Sequence, residues 1–357
     1  MGDNQYFAGI AIPPGETLQE VLDENMMSQK ELSLRLGCSK KHVNLVIKGK
    51  AAITSDFAVK LEDVLKIPAN FWMQLESNYQ ETLSRLSEIP QIQEEEAFLS
   101  KLSYSELAKH GWVEESKSVF EQIKNLRAFF GVASLESVPL VQPVAFRKSN
   151  QYTAEDYAIA AWITQAENKA KEIDASPFDS TKLKKSLESL RTLTIRPLKA
   201  SFVELQSRCA EFGLIVVVVD HISKTYINGV TKWLPNNRPL IALSIRGGYE
   251  DIFWFTFFHE VGHVLQNKKS ETFIDMEDHD LNELEKEADL FALETLLSSE
   301  LYEEFVNSGK YKDIGTVREF SRKQGVHPGI IVGRLMKEKY VAYSDTKFQK
   351  IRVKISK

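Results

Sequence analysis

The sequence predicts a mostly helical α+β protein, with an all-α N-terminal domain and a larger C-terminal domain of helices around a small β-sheet. Three observations predict it. Most of the chain carries apolar residues at helical spacing, beginning with Leu18, Val21 and Leu22. The run Leu214 to Val219 is β-branched and short, as a buried strand is. The 357 residues exceed what one core holds, since cores split beyond roughly 250–300 residues. The expected domains are 1–80, 81–145 and 146–357, the middle one a helical connector.

Composition excludes several classes. The formal net charge of −5 rules out a uniformly basic nucleic-acid coat, though not a local basic face. Cys38 and Cys209 lie far apart, so neither a disulfide scaffold nor a Cys-rich zinc finger is expected. The longest aliphatic run is too short to span a membrane, and MGDNQYFAGI lacks the pattern of a secretory signal. The expectation is a soluble, cytoplasmic protein of a reducing compartment. The small total hides an uneven distribution. Residues 28–50 carry Lys30, Arg35, Lys40, Lys41, Lys48 and Lys50 against Glu31 alone. Residues 271–304 are strongly acidic, with Lys286 the one base, and residues 310–357 are basic again. Such runs are usually solvated faces, but the first lies inside a motif.

After the breaker Pro13-Pro14-Gly15, a first helix carries Leu18, Val21 and Leu22 inward. Ser28 with Glu31 has the pattern of a capping box, and Leu32, Leu34 and Leu36 supply the apolar side of the next short helix. Gly37 can take the left-handed conformation of a sharp turn. Ser39 can cap a helix from Lys40 to Ile47, with Val43, Val46 and Ile47 inward. Lys40, Lys41, Asn44 and Lys48 are then left outside, with Gly49 ending the helix and Lys50 following. A reader of double-stranded DNA needs this layout: a second helix entering the major groove, Lys and Asn reaching base edges, other Lys on phosphates.

The stretch from Pro13 to Tyr79 resembles the HigA antitoxin branch of the XRE helix-turn-helix family. The resemblance is carried by Pro14-Gly15-Glu16, Leu34 to Ser39, Asn44, Gly49-Lys50, Ile53-Thr54 and Asn70-Phe71-Trp72. It implies a five-helix, lambda-repressor-like fold that acts as a homodimer on a palindromic operator; the residues expected to meet the DNA, from the layout of the second helix, are Ser39, Lys40, Lys41, Asn44, Lys48 and Lys50. It also implies the prospect of a toxin partner.

Residues 79–145 read as polar helices, broken by Pro139 and Pro143. Residues 153–173 read as an amphipathic helix with Trp162 in the core, followed by a polar segment at 174–186 and a helix from Lys199 to Phe212. Leu214–Val219 and Leu240–Ile245 are expected strands, with turns and a short strand between them.

Residues 253–268 then hold His259-Glu260-Val261-Gly262-His263, an H-E-x-x-H motif. Histidines at i and i+4 share a helical face and can hold one Zn²⁺, while Glu260 can reach a water beside the metal. Phe253, Trp254, Phe257 and Phe258 mark the helix as buried, where polar ligands are costly unless something satisfies them. A third ligand is sought on the helix 282–297, whose apolar stripe is Leu284, Ala288, Phe291, Ala292 and Leu296. Glu287 flanks that stripe, Glu283 competes with it, and Asp289 can orient a histidine through its other ring nitrogen. His279 reads as solvated loop.

This half resembles the ImmA/IrrE metallopeptidases. The residues that carry the likeness are Phe212-Gly213, Leu240 to Ser244, Phe255-Thr256 with the motif, Glu285 to Ala292, and His327 to Leu335, with Phe146 to Ser149 and Ala161-Trp162 upstream. It implies a zincin-like domain over 146–357, with ligands His259, His263 and Glu287 and with Glu260 as general base. The chain departs from the family at Ile252-Phe253-Trp254, which carries an expectation of altered substrate access. An extended substrate is expected to pair with an edge strand near Leu240 to Ile245. Tyr249, His221 and His327 are candidate oxyanion donors.

Two functions follow as expectations. One is a DNA-bound regulator carrying a zinc endopeptidase that cleaves itself or a partner regulatory protein. The other is a HigA-like antitoxin and autorepressor whose zincin domain senses a signal or holds a toxin without turnover.

Overall fold

The computed structural model describes residues 10–143, 153–246, 248–266, 273–276 and 283–355. Contacts divide the chain into two compact units, Met1–Glu95 and Glu96–Lys357. No described helix is long and apolar enough to cross a membrane.

The first unit comprises α1 (Pro14–Glu24), α2 (Gln29–Leu36), α3 (Lys40–Ile47), α4 (Ser55–Leu65) and α5 (Ala69–Glu94). Its core gathers Leu18, Leu22, Leu32, Leu36, Val43, Val46, Phe57, Leu61 and Trp72. The joint between α2 and α3 forms as the residue types dictate. Gly37 takes φ 64° and Ser39 accepts a hydrogen bond from the His42 amide. Leu34 does not join the core and is 74% exposed. It lies two residues from both Leu32 and Leu36, about 200° around the helix from each. The expected capping box is half formed. Ser28 accepts from the Glu31 amide, but the Glu31 carboxylate turns to Arg35 at 2.6 Å. At Gly15 a Cβ would lie 2.2 Å from the Val46 carbonyl oxygen, so only glycine lets α1 approach α3 this closely. The buried Glu76 accepts the Ile53 amide at 2.9 Å, which secures the turn before α4.

The second unit opens with α6 (Glu96–Leu102), α7 (Tyr104–Lys109), α8 (Val119–Phe130) and α9 (Val138–Val141). Pro139 lies in the first turn of α9 rather than breaking a helix, a place that suits its missing N–H. Next come α10 (Ala154–Lys171), α11 (Ser180–Arg191) and α12 (Leu198–Glu211). Asp179 caps α11, which begins inside the segment expected to be polar. Helix α10 is less amphipathic than its sequence suggests. All residues from Asp156 to Thr164 are buried, because α6, α8 and the sheet cover it from several sides. The scaffold residues Phe146 to Ser149 lie outside the described residues.

Strands β1 (Ile215–Val219), β2 (Ile227–Leu234) and β3 (Arg238–Ser244) follow, then α13 (Glu250–Gln266), β4 (Phe273–Met276) and α14 (Glu283–Leu296). The sheet order is β1-β3-β2-β4. Strand β3 pairs parallel with β1 (Ile215 opposite Leu240) and antiparallel with β2 (Thr231 opposite Ile241). The segment Leu240 to Ser244 is therefore central, and the expected edge strand there is corrected. Its backbone groups are used on both sides and cannot take up a peptide.

Helices α15 (Ser299–Asn307), α16 (Ile314–Gln324), α17 (Pro328–Lys337) and α18 (Thr346–Gln349) complete the chain. Helix α13 packs against β2, β3, α14 and α17. Phe253, Trp254, Phe257, Phe258 and Val261 of α13 are all 2% exposed or less. Phe253 and Trp254 are thus core residues, which corrects the expectation that this departure bears on substrate access. The N-terminus of α13 is held by a buried pair: Arg352 donates to both oxygens of Asp251 at 2.8–3.1 Å. Burial alone pushes the Asp251 carboxyl up, and the guanidinium opposes it. Removing one partner strands a buried charge, so Arg352→Met should destabilise this unit by about 3–5 kcal/mol. Thermal unfolding checks this, and Asp251→Asn added to Arg352→Met should recover part of the loss.

Candidate metal centre and nucleic-acid interface

Helix α13 places His259 and His263 one turn apart on one face, 3% and 1% exposed. Their Nε2 atoms lie 3.0 Å from each other. Each Nδ1 has its own partner. His259 Nδ1 faces Asp289 Oδ1 at 2.8 Å, and His263 Nδ1 faces Gln266 Oε1 at 3.0 Å. The Gln266 amide nitrogen donates to the Leu284 carbonyl at 2.7 Å, which fixes its oxygen toward the ring. Both partners accept, so both Nδ1 atoms carry the proton and both Nε2 atoms present lone pairs.

The third member comes from α14, and it is Glu285. Its Oε2 lies 3.2 Å from His259 Nε2 and 3.3 Å from His263 Nε2. The expected ligand Glu287 is not brought to the pair. It is exposed and its carboxylate faces Gln266 Nε2 at 3.4 Å. The cause is helical phase. Glu285 shares a face with Ala288, Asp289 and Ala292, three, four and seven residues on, whereas Glu287 is turned about 200° away. Glu283 is also exposed, near Lys286 at 3.6 Å. His279 lies outside the described residues.

Among the described residues, His259, His263 and Glu285 are the one His/Cys/Asp/Glu group able to hold a metal ion, their donor atoms all within 4.8 Å. The donor set fits such an ion. Two imidazole lone pairs and a carboxylate converge on one point and repel one another unless a cation lies between them. Donors bound to a tetrahedral zinc at about 2.0–2.1 Å stand about 3.3 Å apart, close to the separations here. Without an ion, a proton on the ring pair is the other way to relieve this repulsion, and the titration of the cluster follows it. Burial would raise the Glu285 carboxyl, but its contacts with His259 and His263 outweigh burial and hold it at about 2. Burial would lower His263, yet the Glu285 carboxylate raises it.

Glycine sets the spacing of the two helices. A Cβ at Gly262 would stand 3.1 Å from the Ala288 Cα and 3.3 Å from its Cβ, tighter than ordinary contact. Small residues on both sides bring α14 near enough for Glu285 and Asp289 to reach the histidines. The last motif residue, Glu260, is fully buried at 0% exposure. Its carboxylate lies against β2, where Thr231 donates to Oε2 at 2.5 Å. The candidate oxyanion groups all have structural work. Tyr249 stacks under Arg352 at 4.0 Å, His221 Nδ1 lies 3.1 Å from the Thr225 hydroxyl, and His327 Nδ1 accepts from the Gly329 amide at the start of α17.

In the first unit, Ser39, Lys40, Lys41, Lys48 and Lys50 are exposed around α3. Asn44 is half-buried, and its Nδ2 donates to Gln29 Oε1 at 3.3 Å. Gln29 in turn donates to Gln19 at 2.8 Å. Sequence reading missed Gln29, Gln266 and Thr231, because each acts through a partner at least three residues away.

The class that this geometry defines is a helix-turn-helix unit followed by a domain whose two histidines and one carboxylate could hold a metal ion. Residues 18–72 match the family model described as Helix-turn-helix, and residues 215–336 match that of the IrrE N-terminal-like domain. The chain belongs to the helix-turn-helix family, and carries an IrrE-like domain in its second half. It is 31% identical over 64 residues to an uncharacterized HTH-type transcriptional regulator, YddM, of Escherichia coli (strain K12), covering 18% of this chain and 68% of that protein. Among solved structures it is similar to the Pseudomonas aeruginosa antitoxin HigA with higBA promoter, at 32% identity and TM-score 0.23, covering 24% of this chain and 95% of the other. It is also similar to an addiction module antidote protein of the HigA family from Coxiella burnetii, at 27% identity and TM-score 0.22, over 24% and 94%.

The choice of third ligand is testable. Glu285→Ala should weaken zinc binding by more than about 100-fold, and Asp289→Asn, an outer partner, by about tenfold. Glu287→Ala should match the wild type. Competition against a zinc indicator measures all three, and the reverse ranking of Glu285 and Glu287 would restore the latter.

Proposed function

We propose that the chain is a DNA-binding transcriptional regulator carrying a zinc-dependent endopeptidase domain that cleaves itself or a partner regulatory protein. The observation that carries the reading is the convergence of His259, His263 and Glu285 beside Glu260. His259, His263 and Glu285 would hold the metal, and Asp289 and Gln266 would orient the two rings. A zinc ion supplies Lewis acidity: it polarises a carbonyl and brings the pKa of water toward about 7. The chain's own residues do the rest. The Glu260 carboxylate accepts a proton from the attacking water and delivers it to the leaving amine. Phe255, partly buried, lies 6.3 Å from the His259 ring, with Lys337 Nζ 5.1 Å from its own ring.

At the other end, Ser39, Lys40, Lys41, Asn44, Lys48 and Lys50 would meet operator DNA, with α3 in the major groove. The exposure of Lys40, Lys41, Lys48 and Lys50 around α3 supports this, as does membership of the helix-turn-helix family. A homodimer on a palindrome is part of the same reading, as is a cytoplasmic location.

The deciding experiment compares zinc-loaded wild type with Glu260→Gln, each with operator DNA and candidate partner repressors. Cleavage by the wild type, reduced by about 10²–10⁴-fold in the variant, supports the endopeptidase. Unchanged repression with no product from either protein sinks it. That outcome leaves an antitoxin-like autorepressor whose second domain binds a signal or a toxin. For DNA, Lys40→Ala and Asn44→Ala should relax sequence choice, while Lys50→Ala should weaken all sequences and lower the salt slope by about 1. Equal losses on operator and random DNA for all three would reject α3 as the reading helix.

A further inference from the structure

Strand β2 is shaped around one side chain. Gly229 and Thr231 are two residues apart and so share a face of the strand, the face turned to α13. A Cβ at Gly229 would lie 2.4 Å from Glu260 Oε1, 2.9 Å from Glu260 Cγ and 2.8 Å from Thr256 Cγ2. Glycine at this position leaves the room that the Glu260 side chain fills. Thr231 is 0% exposed. Its hydroxyl donates to Glu260 Oε2 at 2.5 Å and lies 3.1 Å from the Glu260 carbonyl oxygen. Strand and helix are 29 residues apart at this contact, so it is a tertiary feature and not a local turn.

We infer that Thr231 is a positioning residue for Glu260, fixing the plane of its carboxylate beside the histidine pair. A glutamate has three side-chain torsions, and a carboxylate can rotate about the last of them. A hydroxyl that holds one oxygen fixes the direction in which the other faces. The hydrogen bond is charge-assisted and buried, which makes it strong and directional. The β-branched threonine contributes further, since its χ1 is stiff and keeps the hydroxyl aimed at α13. Gly229 completes the arrangement by admitting the carboxylate against the strand. The inference rests on the reading of Glu260 as the proton carrier beside a metal.

Acetohydroxamate tests it without any substrate. A hydroxamate chelates a zinc ion and donates a hydrogen bond to a carboxylate beside it, so its affinity reports the direction of the Glu260 carboxylate. The zinc-loaded full chain is titrated with acetohydroxamate as wild type, Thr231→Val, Thr231→Ser, Glu260→Gln and the double variant Thr231→Val with Glu260→Gln. Zinc affinity is measured for each. Thr231→Val should bind the probe about tenfold more weakly, the loss expected of a hydrogen bond to a charged group. Thr231→Ser keeps the hydroxyl but loses the β-branch, so it should recover most of the affinity that Thr231→Val loses. Zinc affinity should not change, and in the Glu260→Gln background Thr231→Val should have no further effect. Should Thr231→Val fail to fold, Thr231→Ala takes its place against Thr231→Ser, with the same loss expected. Wild-type affinity in the valine variant overturns the inference, and so does an equal loss in the double variant. A loss that tracks weakened zinc binding also overturns it, because it shows a structural role. If Glu260→Gln itself binds the probe as tightly as wild type, the reading of Glu260 fails instead.

Discussion

The close approach of α13 and α14 is the constraint on which the second unit's chemistry depends. Gly262 faces Ala288 so closely that a methyl group there would stand 3.1 Å from the Ala288 Cα, tighter than ordinary contact. Glycine inside a helix costs roughly 1 kcal/mol relative to alanine, so its presence in a buried helix needs a return. The return is reach. A short side chain such as Asp289 can orient His259 only if its helix lies near, and Glu285 can touch both Nε2 atoms only from the same distance. The Gln266 amide closes the arrangement by joining His263 to the backbone of α14. Polar groups that would be costly in this apolar surrounding are thus satisfied from both helices.

The first unit uses the same device for a different end. Gly15 allows α1 to press on the backbone at Val46 and Ile47, which seats the C-terminal end of α3. The left-handed Gly37 and the Ser39 cap fix the N-terminal end. Between these restraints the apolar side of α3 is spent on the core through Val43 and Val46, and its lysines face outward. The uneven charge distribution along the chain gains meaning here. The basic segment around α3 is a structured surface, whereas Glu285 and Asp289, drawn from the acidic segment, turn inward to face histidines.

Much of this was legible because local rules govern it. The glycine joint, the serine caps, the buried aromatic helix and the i, i+4 histidines all rest on contacts within one or two turns. Leu34 lies about 200° from Leu32 and Leu36 by helix geometry alone, whereas the phase of Glu287 toward the histidines is set only by an anchor outside its own helix. For α14 the anchor is Ala288 against Gly262, a contact between helices that no spacing shows. Strand order was hidden for the same reason. Nothing in Leu240 to Ile245 states that β1 and β2 flank it on both sides. Nothing along the sequence singles out Gly229 and Thr231, because their partner Glu260 lies on a helix that arrives later in the chain.

X-ray absorption of the zinc-loaded protein tests the central claim most directly, since it reads the shell around the metal without any substrate. The account predicts a four-coordinate shell with two imidazole nitrogens and carboxylate oxygen at about 2.0–2.2 Å, together with the outer scattering of two histidine rings. A shell with sulfur at about 2.3 Å, or one of oxygens with a single imidazole, would contradict it.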